Sequence, residues 1–152
     1  MVNTVRQTKR RLGEILMDEG LLSEAQIEEA LKRQKGTGEL LGEALVKLGY
    51  VTETDIVRTI ATQFGYPYLN ATKYFIPAGI LSLVPVELAL EQQMIPLDKM
   101  GGVLLIATAG VVPPEVLEGI EKRTGLKIFL YASTSTQILE AIKKNYKTPV
   151  KK

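Results

Sequence analysis

A chain of 152 residues with 45% apolar residues can form one ordinary domain or two small ones, each with a core. The formal net charge of +2 is too balanced for nonspecific binding along a nucleic-acid backbone, so neither DNA nor RNA is expected as a partner. The chain contains no cysteine and no histidine. This excludes disulfides, thiolate metal sites and thiol catalysis, and it removes the commonest general base.

Motifs typical of catalysis or of membrane insertion are missing from the sequence. It has no phosphate-binding P-loop and no nucleophile elbow, and its acidic residues lack the spacing of a metal-binding loop. The apolar stretch 103–109 is too short to span a bilayer, and residues 1–8 lack the apolar centre of a signal peptide. We therefore expect a cytoplasmic protein that is not an enzyme, binds no metal or cofactor and has no transmembrane segment.

Two stretches of the chain follow the same template. Residues 11–20 read RLGEILMDEG, and residues 40–49, which begin 29 positions later, read LLGEALVKLG. Such a repeat predicts one small supersecondary unit used twice. The match continues at the pairs Ser23 and Thr52, Ile27 and Ile56, Leu31 and Ile60, and Gln34 and Gln63.

Each copy is typical of a short helix, a glycine and a longer capped helix. Gly20 and Gly49 suit the left-handed position that follows a helix. Ser23 with Gln26 three residues later predicts a capping box, and Thr52 takes the same place in the second copy. The predicted helices span about residues 13–19, 24–35, 41–48 and 53–64, with breaks at Gly36 and Gly38 and an end at Gly65 and Pro67.

The pattern changes near residue 66. Residues 66–69 indicate an extended connection, and Pro85 suits the first turn of a helix. Helices are predicted at about 77–83, 85–92, 113–125 and from Thr134 or Ser135 to 146, strands at 94–97, 103–107 and 127–131, and a hairpin turn at 98–102.

The predicted fold class is α+β. A four-helix tandem-motif subdomain at 10–66 precedes a small α-β-β-α-β-α subdomain with a three-stranded sheet at 67–147. A flexible basic tail is expected at 1–9 and a flexible tail at 148–152.

The repeated residues resemble a known family. The run from Arg11 to Gln34 and the run from Leu41 to Gln63 fit a tandem motif, RLGxxLxxxG followed by apolar-x-x-x-Leu-x-x-Gln. This motif is similar to that of the MshEN or GspE N-terminal domain family, the N-terminal domain of type II secretion and type IV pilus assembly ATPases. The second half keeps the family's order of segments at 85–88, 95–97, 103–107, 124–125 and 142–146, so the resemblance covers about residues 10–147.

The resemblance implies a regulatory domain that binds cyclic di-GMP, with each motif holding one half of the dinucleotide. The residue types suit that ligand: an arginine fork can pair with guanine O6 and N7, and a glutamine amide can meet a base edge. Glycine at a helix start lets a phosphate approach the backbone, and leucines can lie against purines. The implied ligand contacts are Arg10, Arg11, Leu12, Gly13, Leu16, Gln34, Leu41, Gly42, Leu45 and Gln63.

The chain departs from the family pattern at two places. The second copy has Leu40 where the first has Arg11, so one guanine lacks that arginine. Residues 109–114 contain no Asp-Pro step after the second strand, so any role of that acid in the family is in doubt here.

Other readings stay open. Arg11 can be a solvated basic residue, the two glutamines can bond the ends of their helices, and the glycines can serve tight helix packing. The chain can instead be a docking module that links a secretion or pilus ATPase to an inner-membrane assembly protein, with the apolar run 76–86 as its face. It can also be a purely structural helical cap.

Overall fold

The computed structural model describes residues 12–146 and has the α+β fold that the sequence predicts. The tails predicted at 1–9 and 148–152 lie outside the described residues. The elements are α1 (Leu12–Asp18), α2 (Glu24–Thr37), α3 (Leu41–Lys47), α4 (Glu53–Phe64), α5 (Val86–Gln92), β1 (Met94–Met100), β2 (Val103–Thr108), α6 (Pro114–Thr124), β3 (Lys127–Ala132) and α7 (Ser135–Asn145), with short 3₁₀ turns at Ala71–Lys73 and Leu81–Leu83.

The two copies of the repeat fold alike, and we call residues 12–65 the helical part. After α1, the N–H of Leu21 donates to the carbonyl of Leu16 at 3.0 Å, and after α3 the N–H of Tyr50 donates to that of Leu45 at 3.1 Å. Both α2 and α4 open on capping boxes, as the sequence predicts. The same local chemistry therefore sets the same turn twice.

One predicted break in α2 is wrong. Gly36 lies inside the helix, which continues to Thr37 and ends at Gly38 with φ 77°. A glycine in a helix interior costs only about 1 kcal/mol, which does not end a helix whose next glycine offers a left-handed cap.

We call residues 66–146 the α/β part, and its sheet has the order β1-β2-β3. The pair β1–β2 is antiparallel, and the pair β2–β3 is parallel because α6 carries the chain back across the sheet. The predicted hairpin turn at 98–102 is too long. Asp98 pairs with Leu105 and Met100 with Val103, so the turn contains only Gly101 and Gly102.

The apolar run 76–86 is partly buried, and three of its residues belong to the core. Ile76, Ile80 and Val84 are buried, and the helix expected over 77–83 is only the 3₁₀ turn Leu81–Leu83. The run therefore does not offer the continuous docking face considered from the sequence.

One continuous apolar core joins the helical and α/β parts. Its fully buried side chains include Leu16, Leu45 and Ile60 from the helical part, and Ile106 and Leu130 from the sheet. Whether 10–66 and 67–147 act as separate domains stays a prediction. Within residues 12–146, no helix combines the length and apolarity that crossing a bilayer requires.

Candidate functional site

The two copies of the repeat pack on each other reciprocally at their first turns. A Cβ built on Gly13 would lie 3.4 Å from Leu41 Cδ2, and one built on Gly42 would lie 3.5 Å from Leu12 Cδ2. Such an exchange of equivalent contacts is the mark of a two-fold relation. The copies are therefore related by an approximate two-fold axis that passes between α1 and α3.

Each repeat glycine also packs against the long helix of its own copy. The built Cβ of Gly13 lies 3.2 Å from Ile27 Cδ1 on α2, and that of Gly42 lies 3.7 Å from Ile56 Cδ1 on α4. The sequence reading of tight helix packing therefore holds for Gly13. The contacts at Gly42 are ordinary van der Waals distances, so packing alone does not require a glycine there.

A groove of about 1190 Å³ lies between the helical part and the α/β part. Leu12 and Leu41, which are equivalent in the two copies, both line this groove. The approximate two-fold axis between them therefore passes through the groove. The remaining walls come from Leu31 and Gln34 near the end of α2, from α3, from the first turns of α4, α6 and α7, from Gln93, and from residues 109–113.

Several helix N-termini border the groove. The starts of α4, α6 and α7 line the groove, and each brings the positive end of a helix dipole to it. Thr52 and Thr134 cap α4 and α7 with their hydroxyls, which settles the choice between Thr134 and Ser135. At the start of α6, Pro113 provides no side-chain cap, but Pro113 and Pro114 carry no N–H and the N–H of Val116 already donates to the Pro113 carbonyl at 3.0 Å, so this end has few free donors for an anion.

The charged side chains of the described groove are mostly acidic. Glu43, Glu53, Glu115 and Glu118 line it, against the single cation Lys47 among the lining residues. Lys47 is itself engaged, since its Nζ lies 2.9 Å from Glu39 Oε2 and 3.9 Å from Glu43 Oε2. A dianionic ligand would therefore need further cations from outside these walls.

An ion-pair network fixes the rim of the groove where α2 leads into α3. Arg33 Nε donates to Glu39 Oε1 at 2.8 Å, and Lys47 Nζ donates to the other carboxylate oxygen at 2.9 Å. The hydrogen bonds from Arg33 and Lys47 lower the pKa of Glu39 to about 2. The carboxylate therefore stays ionised through the neutral and mildly acidic range.

Two side-chain bridges join the helical part to α7 across the groove. Gln93 donates from Nε2 to Glu43 Oε1 at 3.2 Å and accepts from Ser135 Oγ at 2.7 Å. Thr136 donates from Oγ1 to Glu53 Oε2 at 2.7 Å. Gln93 is buried, whereas the bridge from Thr136 is exposed to solvent.

The structure brings four of the expected ligand contacts together. Leu12, Gln34, Leu41 and Gly42 all line the groove. Leu31, 38% exposed, stands beside Gln34, although its counterpart Ile60 is fully buried. The two copies thus differ at the groove, and the copy that contains α2 presents the more open end of its long helix.

Other expected contacts lie elsewhere. Leu16 and Leu45 are fully buried in the core, and Gly13 lies in the helix packing described above. Gln63 does not line the groove, and its Nε2 donates to Glu19 Oε2 at 2.8 Å. Arg10 and Arg11 lie outside the described residues. Ligand contact by this second group stays a prediction.

The wall of the groove that the α/β part supplies was not predicted from the sequence. Gln93, residues 109–113 and the start of α7 carry no motif that marks them as ligand contacts, although the cap that begins α7 was predicted. One signal was available: a glutamine ends α5 at a position where glycine is usual.

Two curated relatives of this chain are type IV pilus assembly ATPases. The chain is 36% identical over 139 residues to the type IV pilus assembly ATPase PilB of Thermus thermophilus, covering 90% of this chain and 16% of PilB. It is 30% identical over 136 residues to PilB of Myxococcus xanthus, covering 90% of this chain and 24% of that protein. The chain thus spans a sixth to a quarter of the length of these relatives.

Solved structures share the whole fold. A structure of MshE with cyclic di-GMP is 27% identical and superimposes with a TM-score of 0.68, covering 91% of this chain and 100% of that one. The N-terminal domain of XpsE, 20% identical, has the same fold with a TM-score of 0.68 over 92% of this chain and 99% of that one.

A sequence profile of the MshEN domain family matches residues 64–151, more than half of the chain. The match begins at the end of α4, so it rests on the α/β part rather than on the tandem motif that suggested the family. The structural likeness covers both parts. The chain therefore belongs to the MshEN domain family.

Proposed function

We propose that this chain is a cyclic di-GMP-binding regulatory domain of a type IV pilus or type II secretion ATPase. The observation that carries the proposal is the two-fold packing of Leu12 on Gly42 and of Leu41 on Gly13. Both leucines line the same groove. Cyclic di-GMP consists of two identical halves related by a two-fold axis. A related domain, MshE, was solved with this ligand.

The size and polarity of the groove suit a dinucleotide. Its volume of about 1190 Å³ is somewhat larger than the roughly 300–1,000 Å³ that small-ligand sites usually have, which leaves room for a ligand of two nucleotides. Leu12, Leu31 and Leu41 supply apolar walls for purine faces, and Gln34 supplies an amide that can donate to and accept from a base edge. Apolar enclosure of this kind strengthens the few polar contacts that fix orientation.

The ligand's two phosphates need positive charge that the described walls supply only in part. The starts of α4 and α7 bring positive helix-dipole ends to the groove, but their threonine caps already occupy one backbone donor in each. The strongest cations would come from Arg10 and Arg11, which directly precede the groove residue Leu12 in the chain. In this proposal Arg11 also pairs with one guanine, and binding weakens as salt rises.

Calorimetric titration with cyclic di-GMP at moderate salt tests the proposal. We expect saturable heat with one dinucleotide per chain and much weaker heat with cyclic di-AMP, which lacks the guanine O6 acceptor. Arg11→Ala should weaken binding by about 1–3 kcal/mol. No heat with cyclic di-GMP would contradict the proposal, and an unchanged affinity in Arg11→Ala would remove that residue from the site.

In the proposed mechanism, catalysis is left to the linked ATPase and this domain acts through its conformation. Ligand in the groove contacts both parts of the fold, so it favours whichever arrangement of the parts binds it more tightly. That bias is the signal passed to the motor.

A second candidate function is docking of a partner protein on the outer face of the sheet. Along β3, Ile128 and Leu130 are buried on one face, while Phe129 and Tyr131 are half-buried on the other. Phe129 pairs with Leu105 of β2, so the outer face is apolar as well. A sheet face that meets only solvent is usually polar.

The partner that fits this face has an apolar contact surface with a carboxylate at its edge. Lys127 is exposed, shares the outer face with Phe129, and would meet that carboxylate. Phe129→Asp should weaken binding of the purified cytoplasmic domain of a pilus or secretion assembly protein and leave the cyclic di-GMP titration unchanged. Equal binding by Phe129→Asp and the wild type would count against docking here.

A further inference from the structure

Gln93 has a backbone conformation that glutamine rarely adopts. It follows α5 with φ 54° and ψ 62°, in the left-handed region where glycine and asparagine are usual. Within residues 12–146, every other positive φ belongs to a glycine. A side chain kept in such a conformation costs free energy that its surroundings must offset.

The contacts of Gln93 join three separate elements. Its Nε2 donates to Glu43 on α3, its Oε1 accepts from Ser135 at the start of α7, and its carbonyl accepts the N–H of Ala109 after β2 at 3.0 Å. Gln93 is only 6% exposed, so water competes poorly for these bonds.

We propose that Gln93 is a positioning residue that fixes the separation of α3 and α7, and thereby the width of the groove. Glu43 and Ser135, which it holds, both line the groove on opposite walls. The second bridge, from Thr136 to Glu53, is exposed and holds the walls less firmly. The left-handed backbone directs the glutamine side chain between the two walls, which a residue in ordinary helical geometry at the end of α5 would not do.

Two substitutions separate this role from simple capping of α5. Gln93→Gly and Gln93→Asn both suit a left-handed backbone but cannot span from Glu43 to Ser135. If Gln93 were only a tolerated cap, both variants would be more stable than the wild type and would keep the groove unchanged. Under our proposal, α3 and α7 move apart in both variants, even if the free energy of unfolding is unchanged.

The separation can be measured without any ligand. The chain has no native cysteine, so Lys32→Cys on α2, which packs on α3, and Lys143→Cys on α7 give clean spin-label positions on exposed residues of the two walls. In the doubly labelled protein with native Gln93, the parent, we expect a narrow distribution of distances between the two spin labels. In Gln93→Gly we expect a broader distribution or a longer mean distance. Gln92→Gly, which alters the neighbouring residue only, should match the parent. Superimposable distributions for Gln93→Gly and the parent would overturn the proposal.

A pair of exchanged residues tests the specific bond. Gln93→Glu places a carboxylate against that of Glu43 and should broaden the distribution. Adding Glu43→Gln re-forms the contact in the opposite direction: the new amide donates to the new carboxylate, and Ser135 donates to its other oxygen. We expect the narrow distribution to return. A double variant as broad as Gln93→Glu alone would refute the role, and Glu43→Gln alone is the control.

The consequence for binding rests on the proposed function. Titration with cyclic di-GMP should show an affinity loss of roughly tenfold in Gln93→Gly, and recovery in the exchanged pair. If the wild type fails to bind, the proposed function fails while the distances still decide the role of Gln93. If Gln93→Gly broadens the distances but binds as tightly as the wild type, the predicted consequence for binding is wrong.

Discussion

A substitution at Gly42 distinguishes a role in helix packing from a role in ligand binding. A methyl group on Gly42 would lie 3.5 Å from Leu12 Cδ2 and 3.7 Å from Ile56, both ordinary contact distances, so the ligand-free fold can accept alanine. Alanine is favoured over glycine in helices by up to about 1 kcal/mol. We therefore predict that Gly42→Ala leaves the free energy of unfolding unchanged or raises it by at most about 1 kcal/mol.

The same methyl group should reduce binding. Gly42 lines the groove beside the proposed two-fold axis, where a dinucleotide would approach the backbone of α3 most closely. Intruding methyl groups in close-packed sites cost about 1–3 kcal/mol. That cost corresponds to a loss of roughly 5- to 150-fold in the affinity for cyclic di-GMP.

Urea unfolding and calorimetric titration of the same samples check this prediction. Gly36→Ala is the matched control, because a Cβ at this helical glycine meets nothing within 4 Å. It should match or exceed the wild type in stability and bind equally well. Wild-type affinity in Gly42→Ala would refute close approach of the ligand at this glycine. A stability loss well above about 1 kcal/mol would refute the packing argument.

Further predictions concern four single side chains. Gln34→Ala should weaken cyclic di-GMP binding in calorimetry without altering urea unfolding, whereas Gln63→Ala should lower the unfolding free energy by about 0.5–1.5 kcal/mol because it breaks the bond to Glu19. Leu45→Ala should lower it by about 2–5 kcal/mol, since this side chain is fully buried. The pKa of Glu39 is depressed to about 2 from 4.5, so its contribution is complete above the ordinary value and is lost as pH falls. Unfolding measured from about pH 5 down to about pH 2 should show a steeper loss in the wild type than in Glu39→Gln.

Local chemistry made much of the helical part predictable. The capping boxes and the left-handed glycines act within a few residues of chain, so one sequence carries their whole signal. Their repetition added independent support for each copy. The boundaries then follow closely, and the exception at Gly36 arose because a tolerated glycine and a terminating glycine stand two residues apart.

Which of the expected site residues line the groove and which are buried in the core was not predictable from local sequence. Leu12 and Leu16 stand one turn apart on α1, yet Leu12 lines the groove and Leu16 is in the core. Helical periodicity assigns both to the same face. Which end of that face meets the groove depends on Gly42, which is distant in sequence and packs against Leu12.

The far wall of the groove depends on contacts across most of the chain. Thr136 meets Glu53 at a sequence separation of 83 residues, and Ser135 meets Gln93 at 42. Neither pair has a local pattern, and the parallel pairing of β2 with β3 that places α7 there is also long-range. The sequence therefore indicated a ligand for the helical part without indicating that the α/β part encloses it.

Titration of isotope-labelled protein with cyclic di-GMP, followed by amide NMR spectra, tests the central claim most directly. The amide of Gly42 reports on the two-fold centre of the groove, and that of Thr136 reports on its far wall. We predict that both signals shift in step with saturation, while the amide of Gly101 at the distant hairpin stays unchanged. Saturating shifts that spare both Gly42 and Thr136, or no shifts at any ligand concentration, would contradict a dinucleotide site between the two parts.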